Sequence, residues 1–323
     1  MNDIKLIHRR LRSLLLTPEL GVASAILILT AIFATIEPAL ISPRSLATQL
    51  RAVAFVGMIA VGETMLMIAG ELDLSVGSVA GLCAIVTARL TLQPGWTPSA
   101  AVTCGVLTGV GVGLVNGLLA VKARIPAFIV TLGMLYMARG ANYLISSGYP
   151  IYPLPRALTS IGKATPLGLS WGVLVFLAVA TLGRFTLVRT TFGRAVHATG
   201  GNAEAARIAG IPVDFVKICC FVLTSALAAI AGILLTAQLG VGLSEFGVGW
   251  ELEVVAAVVI GGVSLFGGVG GVSGTVLGLF LMQIARNGLV FSGANTHWQT
   301  VAVGAIMIAA VGLDIIRRRT KYE

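Results

Sequence analysis

Apolar runs that no charge divides limit this chain more than any other feature: 21–36, 101–121, 171–182 and 301–312 contain no Asp, Glu, Lys or Arg. A helix of a water-soluble protein keeps one polar face, whereas these runs are apolar on every face and suit a helix surrounded by lipid or by other such helices. Composition agrees, with 57% hydrophobic and only 11% charged residues, where soluble domains carry about 25% charge. The mean hydropathy is +0.97. The sequence therefore predicts an all-α, polytopic membrane protein.

A net charge of +9 and a pI of 9.9 raise the question of nucleic acid, and the placement of the charges answers it. Fifteen of the 22 Lys and Arg residues fall within 5–12, at 122 and 124, within 184–217 and within 317–321. All lie between or beyond the apolar runs, which is the positive-inside pattern of a chain oriented in a membrane. The expected contact is membrane lipid, with no nucleic-acid partner.

Taking about 20 residues per crossing, helices are expected near 20–36, 46–69, 76–92, 100–121, 126–145, 166–187, 214–238, 251–266, 272–291 and 298–316. The first run is read as a retained helix, since no small-x-small cleavage site closes it. About ten crossings, an even number, put both termini on the cytoplasmic side, in accord with the Arg317-Arg318-Arg319 cluster. The segment 189–214 then forms a cytoplasmic loop. The proline-rich segment 146–165 lies outside as an irregular loop rather than a crossing. The whole of 1–323 is expected to form one transmembrane domain, with termini too short for an appended ATPase or receptor.

Glycines at 109, 113 and 117, and again at 270, 274 and 278, recur every fourth residue and predict stripes of close helix contact. The four cysteines, Cys83, Cys104, Cys219 and Cys220, form no C-x-x-C pair and read as packing residues. The three histidines are far apart, so neither a metal site nor a catalytic residue is expected.

The segment TTFGRAVHATGGNAEAARIAGIPVDFVK, 190–217, has the features of a short folded element. Asn202 is a good N-cap, Gly210 a good stop, and Glu204 near the start with Arg207 near the end suits the helix dipole. A plain connector needs neither a capped helix nor the Gly200-Gly201 pair, which reads as a hinge.

Within it, GRAVHATGGNAEAARIAGIPV resembles the coupling-loop signature of permease subunits in bacterial sugar ABC importers of the ribose, xylose, arabinose and autoinducer-2 group. GELDLSVGSVAGL, at 70–82, looks like that family's Asp-Leu-Ser-Val-Gly motif. VVIGGVSLFGGVGGVSGTVLG, 258–278, is similar to its Gly-Gly-x-Ser-x-x-Gly-Gly-x-Gly segment. The matches fall in order from 70 to 278, within a resemblance that covers 61–314; one departure is Glu71, where the family more often has a second glycine.

The resemblance implies a type II ABC importer permease fold in the bacterial inner membrane. It implies as partners a second permease copy or paralogue, a cytoplasmic ATP-binding subunit and a periplasmic sugar-binding protein. The permease itself makes no covalent change and is no enzyme. No cofactor is expected on this chain, because ATP and magnesium belong to the ATPase; the sequence holds no G-x-x-x-x-G-K-[ST] loop. Gly200, Gly201, Asn202, Glu204, Ala205, Ala206, Arg207 and Gly210 are, by the same resemblance, the ATPase-coupling residues.

Two carboxylates, Glu71 and Asp73, interrupt the apolar sequence of MIAGELDLSVGSVAGL. A charge at bilayer depth costs a few kcal/mol, so it faces protein or water and has a partner. With Gly70, Gly77 and Gly81 around them, the helix is expected to break here and restart near Leu74, capped by Asp73 or Ser75. Glu63, Asn116, Asn142, Gln238, Gln283 and Asn287 are further polar residues within spans, serving either the translocation path or helix–helix hydrogen bonds.

Two other classes fit a polytopic chain. An intramembrane serine protease would use Ser273 of Gly271-Val272-Ser273-Gly274 with His297. An ion-gradient-driven secondary sugar transporter would use Glu63 and Asp73 as ion-coupling carboxylates. The capped cytoplasmic helix fits neither.

Overall fold

A computed structural model describes residues 18–291 and scattered positions between 293 and 312. The expected basic N-terminus, the helix over 298–316, His297 and the Arg317-Arg318-Arg319 cluster lie wholly or largely outside the described residues. The described part is helical, with a single isolated antiparallel bridge between Ile151 and Gly242.

The helices are α1 Pro18–Ile36, α2 Pro43–Ile68, α3 Val76–Thr91, α4 Pro98–Val121, α5 Ala127–Ser146, α6 Arg156–Lys163, α7 Trp171–Arg189, α8 Thr191–Gly201, α9 Ala203–Ile208, α10 Val213–Leu239, α11 Trp250–Ile260 and α12 Val272–Phe291. Their starts follow local chemistry. Ser42 and Thr97 each stand before a proline and accept the N–H of the third residue on, Ser45 at 3.2 Å and Ala100 at 3.3 Å.

Among the described residues, seven helices are long and apolar enough to cross a membrane: α1, α2, α4, α5, α7, α10 and α12. Two expected spans are shorter than the apolar sequence suggests. α3 has 16 residues and α11 only 11, and at about 1.5 Å per residue neither reaches the roughly 30 Å of a hydrocarbon core. The expected helix over 251–266 stops at Ile260 because Gly262 takes a left-handed conformation (φ 88°) and the chain turns away. Apolar composition marks burial, and it does not distinguish helix from a glycine-rich loop enclosed in protein.

Helix α2 is the axis of the bundle. Every residue from 53 to 69 is buried, because α7, α8, α10, α11 and α12 all pack around it. α1 lies outermost and leaves Leu27, Ile28 and Ile32 exposed, as a helix against lipid does. Its Phe33 ring sits where a side chain on Gly288 of α12 would be.

The expected glycine stripes are contact surfaces. A Cβ on Gly109 would stand 2.6 Å from the Ala229 Cβ, and one on Gly113 2.7 Å from the Phe221 carbonyl oxygen, so α4 lies directly against α10. Gly274 and Gly278 of α12 meet the Gly261 and Ala257 carbonyls at the end of α11 in the same way.

The 146–165 segment contains no crossing, yet it is not wholly irregular. It forms α6 and docks onto the ends of α3 and α10 through Ile151, Leu154 and Leu158, which cluster with Ile85, Ala88 and Ala237. The segment 189–214, expected to hold one short helix, holds two, α8 and α9.

Candidate functional site

The 70–82 motif is a helix break, and its geometry follows from Gly70. That residue takes φ 85° after α2, its N–H donates to the Met67 carbonyl at 3.0 Å, and the Glu71 N–H reaches back to Leu66 at 3.1 Å. This pairing is a Schellman cap, which needs a residue without a Cβ at the left-handed position. The chain then passes through irregular backbone at 71–73 and a turn at Leu74 and Ser75 before α3 begins.

Asp73 holds the break together. Its Oδ1 accepts from the Ser75 N–H at 2.8 Å and from the Ser75 hydroxyl, and its Oδ2 from Asn116 Nδ2 at 3.3 Å and the Ser225 hydroxyl at 3.5 Å. Its own N–H donates to Glu63 Oε1 at 3.0 Å. Asp73, Ser75, Asn116, Ser225 and Glu63 are all fully buried. The cap of α3 and the helices α4 and α10 therefore meet on one carboxylate, which is how an enclosed acid satisfies its acceptors, and α2 reaches the same residue at its backbone N–H.

Of the two expected caps, Asp73 accepts a backbone N–H as expected and Ser75 does not. Ser75 is the residue before α3, yet its side chain makes no capping bond, since its backbone is already helical (φ −85°, ψ −11°) and its hydroxyl turns to Asp73. Asp73 bonds one residue short of the helix and spends its second oxygen on α4 and α10.

A second break repeats the first. After α11, Gly262 N–H donates to Val259 at 2.9 Å and Val263 N–H to Val258 at 3.2 Å, the same cap with glycine at the same place. The two breaks touch. The Gly268 N–H donates to the carbonyl of Ile68, in the last turn of α2, at 2.8 Å, satisfying one of the acceptors a helix end leaves open. The Gly268 carbonyl lies 3.2 Å from His197 Nδ1 of α8. A hydroxyl pair, Thr64 and Thr275 at 2.6 Å, ties α2 to α12 nearby.

Gly200 completes this junction. A Cβ there would overlap the Ile68 carbonyl oxygen and crowd the Gly268 N–H at 2.6 Å, whereas a Cβ on Gly201 would meet nothing within 4 Å. The expected Gly-Gly hinge is thus corrected. Both glycines close helix α8, the chain bends at Asn202 (φ −160°, ψ 103°), and Gly200 is needed for close approach rather than for bending.

Helix α9 follows at once. Asn202 Oδ1 accepts the N–H groups of Glu204 at 3.0 Å and Ala205 at 2.9 Å, and Gly210 (φ 83°) ends the helix. Ala206 packs inward, while Glu204, Ala205 and Arg207 face out and Ile208 is 84% exposed. Arg207 pairs with Asp214 at the start of α10, and Lys122 at the end of α4 joins the same carboxylate at 2.8 Å. Lys217, one turn further, pairs with Glu71.

The remaining polar residues lie apart from the break. Asn142 Nδ2 donates to the Ser244 carbonyl at 3.0 Å, and Gln283 Nε2 to Asn287 Oδ1 at 3.0 Å, one turn apart on α12. Gln238 is half-buried beside Gly162 of α6. Lys122, Asp214, Lys217, Ser225 and Gly268 belong to the site without having been singled out in the sequence. The one signal was the i, i+3 pair Asp214 and Lys217 of opposite charge before an apolar helix. Among the described residues no cluster of His, Cys, Asp and Glu is arranged to hold a metal, and the four cysteines are free. Ser273 lies on a groove between α7 and α12 with Leu177, Arg184 and Leu277.

Comparison with known proteins gives a consistent answer. The profile of the family described as branched-chain amino acid transport system / permease component matches residues 45–311. The L-arabinose ABC transporter permease protein AraH of Azospirillum brasilense is 34% identical over 93% of this chain and 88% of its own length. The xylose transport system permease protein XylH of Escherichia coli K12 is 32% identical over 96% and 94%. The autoinducer 2 import system permease protein LsrC of Enterobacter sp. 638 is 34% identical over 94% and 88%. No solved structure matches the chain. With most of its length matched by the profile and by relatives over nearly their full length, the chain belongs to this family of ABC transporter permease components and is a multi-pass membrane protein.

Proposed function

We propose that the chain is the permease subunit of an ABC importer that moves a monosaccharide or a related small polyol across the bacterial inner membrane. Its relatives are named for arabinose, xylose and autoinducer 2, which favours a sugar over the amino acid in the family's description. The chain crosses ten times, with α3 and α11 as short crossings enclosed by protein and the region 298–316 as the last, and both termini are cytoplasmic. Enclosure is what lets helices of 16 and 11 residues serve.

A second permease completes the pathway, a sugar receptor docks outside against 146–165 and 240–251, and cytoplasmic ATPases supply the energy. ATP and magnesium bind the ATPase. Closure of the ATPases pushes α9, and the permeases rock between outward- and inward-open states. Gly200, Gly201, Asn202, Glu204, Ala205, Ala206, Arg207 and Gly210 form the coupling element; Glu63, Asp73, Ser75 and Asn116 brace the break beside the path, with Asn142, Gln283 and Asn287 as bonds elsewhere in the bundle.

One observation carries this reading: α9 is capped at both ends, presents Ile208 outward and starts three residues after Gly200, where both helix breaks meet. A helix with no load to pass needs neither the exposed apolar residue nor that junction. The test is uptake of tritiated L-arabinose and D-xylose into proteoliposomes holding the chain, its ATPase and its receptor. ATP-dependent uptake that disappears when 202–210 is deleted supports the reading. Uptake by this chain alone under an ion gradient overturns it in favour of a secondary transporter, and peptide cleavage lost in Ser273→Ala in favour of a protease.

A further inference from the structure

We infer that Glu71 and Lys217 are positioning residues of the transport cycle: with Asp214 and Arg207 they form an ion-pair relay that carries displacement of α9 into the α2–α3 break. The relay rests on the coupling role proposed for α9, and it gives Glu71 a task that helix termination does not require.

The first turn of α10 is the middle of the relay. Asp214 and Lys217 are three residues apart, so they project from one side of the helix. Asp214 takes Arg207 of α9, with Lys122 at the end of α4 on its other oxygen, and Lys217 takes Glu71. One helical turn therefore holds the coupling helix at one end and the break at the other.

Glu71 is fixed to the break by its own backbone. Its N–H closes the Schellman cap on Leu66, and Asp73, two residues on, gathers α3, α4 and α10. A pull on the Glu71 carboxylate is thus a pull on the segment that separates α2 from α3.

Solvation differs along the relay. The Arg207 and Asp214 side chains are 59% and 31% exposed, those of Lys217 and Glu71 both 18%. An exposed pair is weak and rearranges freely, while a sheltered pair is costly to break once formed because each charge would be left without a partner. The outer link therefore adapts as α9 moves and the inner link transmits. A polar groove of about 260 Å³, lined by Glu71, Arg124, Arg207, Asp214 and Lys217, gives these side chains room to shift.

The experiment reads sugar accumulated and ATP hydrolysed in the same proteoliposomes, with tritiated L-arabinose and D-xylose as probes. Glu71→Gln and Lys217→Met are each expected to lower sugar moved per ATP by about five-fold or more, the usual range for a coupling between sites, with ATP hydrolysis retained. The double variant Glu71→Lys/Lys217→Glu should restore the ratio. A pair that merely stabilised the fold would lower the yield of assembled importer and leave the ratio alone, so an unchanged ratio, or a swap no better than the single variants, overturns the relay.

Absence of ATP-driven uptake by the unmodified importer would instead overturn the functional reading. In that event amide hydrogen exchange in the purified chain still decides the relay. Glu71→Gln should speed exchange at both 69–75 and 203–208, and the swap should slow it again; exchange unchanged at 203–208 overturns it.

Discussion

Gly200 and Gly201 are neighbours in sequence with opposite environments, and the difference predicts opposite results for one substitution. In a helix, alanine is favoured over glycine by roughly 0.5–1 kcal/mol, and at Gly201, with nothing within 4 Å of the new Cβ, that gain stands unopposed. At Gly200 the Cβ overlaps the Ile68 carbonyl oxygen, which is not free to retreat because it accepts the Gly268 N–H at 2.8 Å. Relief requires α8 to back away from both breaks, an overpacking cost of about 1–3 kcal/mol, or the loss of the Ile68–Gly268 hydrogen bond, about 1 kcal/mol more. Gly200→Ala is therefore expected to destabilise by about 1–3 kcal/mol net, while Gly201→Ala is neutral or slightly stabilising. Thermal unfolding of the two variants in matched detergent, read by size-exclusion of the fluorescently tagged protein, measures the gap, and ATP-driven uptake measures its consequence. Equal midpoints and equal uptake would refute the close-approach account, and loss of uptake in Gly201→Ala alone would restore the hinge.

Asn116→Leu removes donors to both Asp73 Oδ2 and the Ser75 hydroxyl, leaving only the Ser225 hydroxyl on that oxygen. The cost is expected to be about 1–3 kcal/mol, as for removing a hydrogen-bond donor from a buried acceptor, and to show as a lower unfolding midpoint and faster exchange of the 72–76 amides. Asn202→Ala removes the side-chain acceptor for two N–H groups of α9 at about 1 kcal/mol; exchange should quicken over 203–206 and copurification of the ATPase should weaken, with the bundle's midpoint unchanged. Ala205→Cys, on the exposed side of α9, should react with an impermeant maleimide only from the cytoplasmic face, and labelling from outside would reverse the topology.

Much of the architecture was legible because lipid and backbone demand it. Apolar runs of about 20 residues place α1, α2, α4, α5, α7, α10 and α12 within a few residues, and the Asn202 and Gly210 signals bound α9 closely. What hydropathy could not separate was a short enclosed helix from a loop. Neither α11 nor the 261–271 segment is broken by a charge after Glu253, and the chain leaves the helix at the left-handed glycine 262. The site was half-legible for a related reason. Asp73 and Glu63 stand out as carboxylates in an oily sequence, but the Asp73 partners Asn116 and Ser225 come from α4 and α10, and which distant donor reaches an acid is decided by helix packing.

The same limit explains why Glu71 reads as a departure in the sequence and as a fitting residue in the structure. At the left-handed position the cap requires glycine, and Gly70 supplies it; the next residue is free to carry any side chain that its surroundings accept. Here the surroundings contain Lys217, projecting from α10 on the side shared with Asp214. A glycine at 71 would leave that ammonium without the carboxylate that now pairs with it, at a site only 18% exposed, and would cut the side-chain link from the break to the first turn of α10, by which α9 is held. The carboxylate that hydropathy marks as misplaced is thus the partner that makes a lysine tolerable at the foot of an apolar helix, and the two charges are best understood as one feature shared by two elements 146 residues apart.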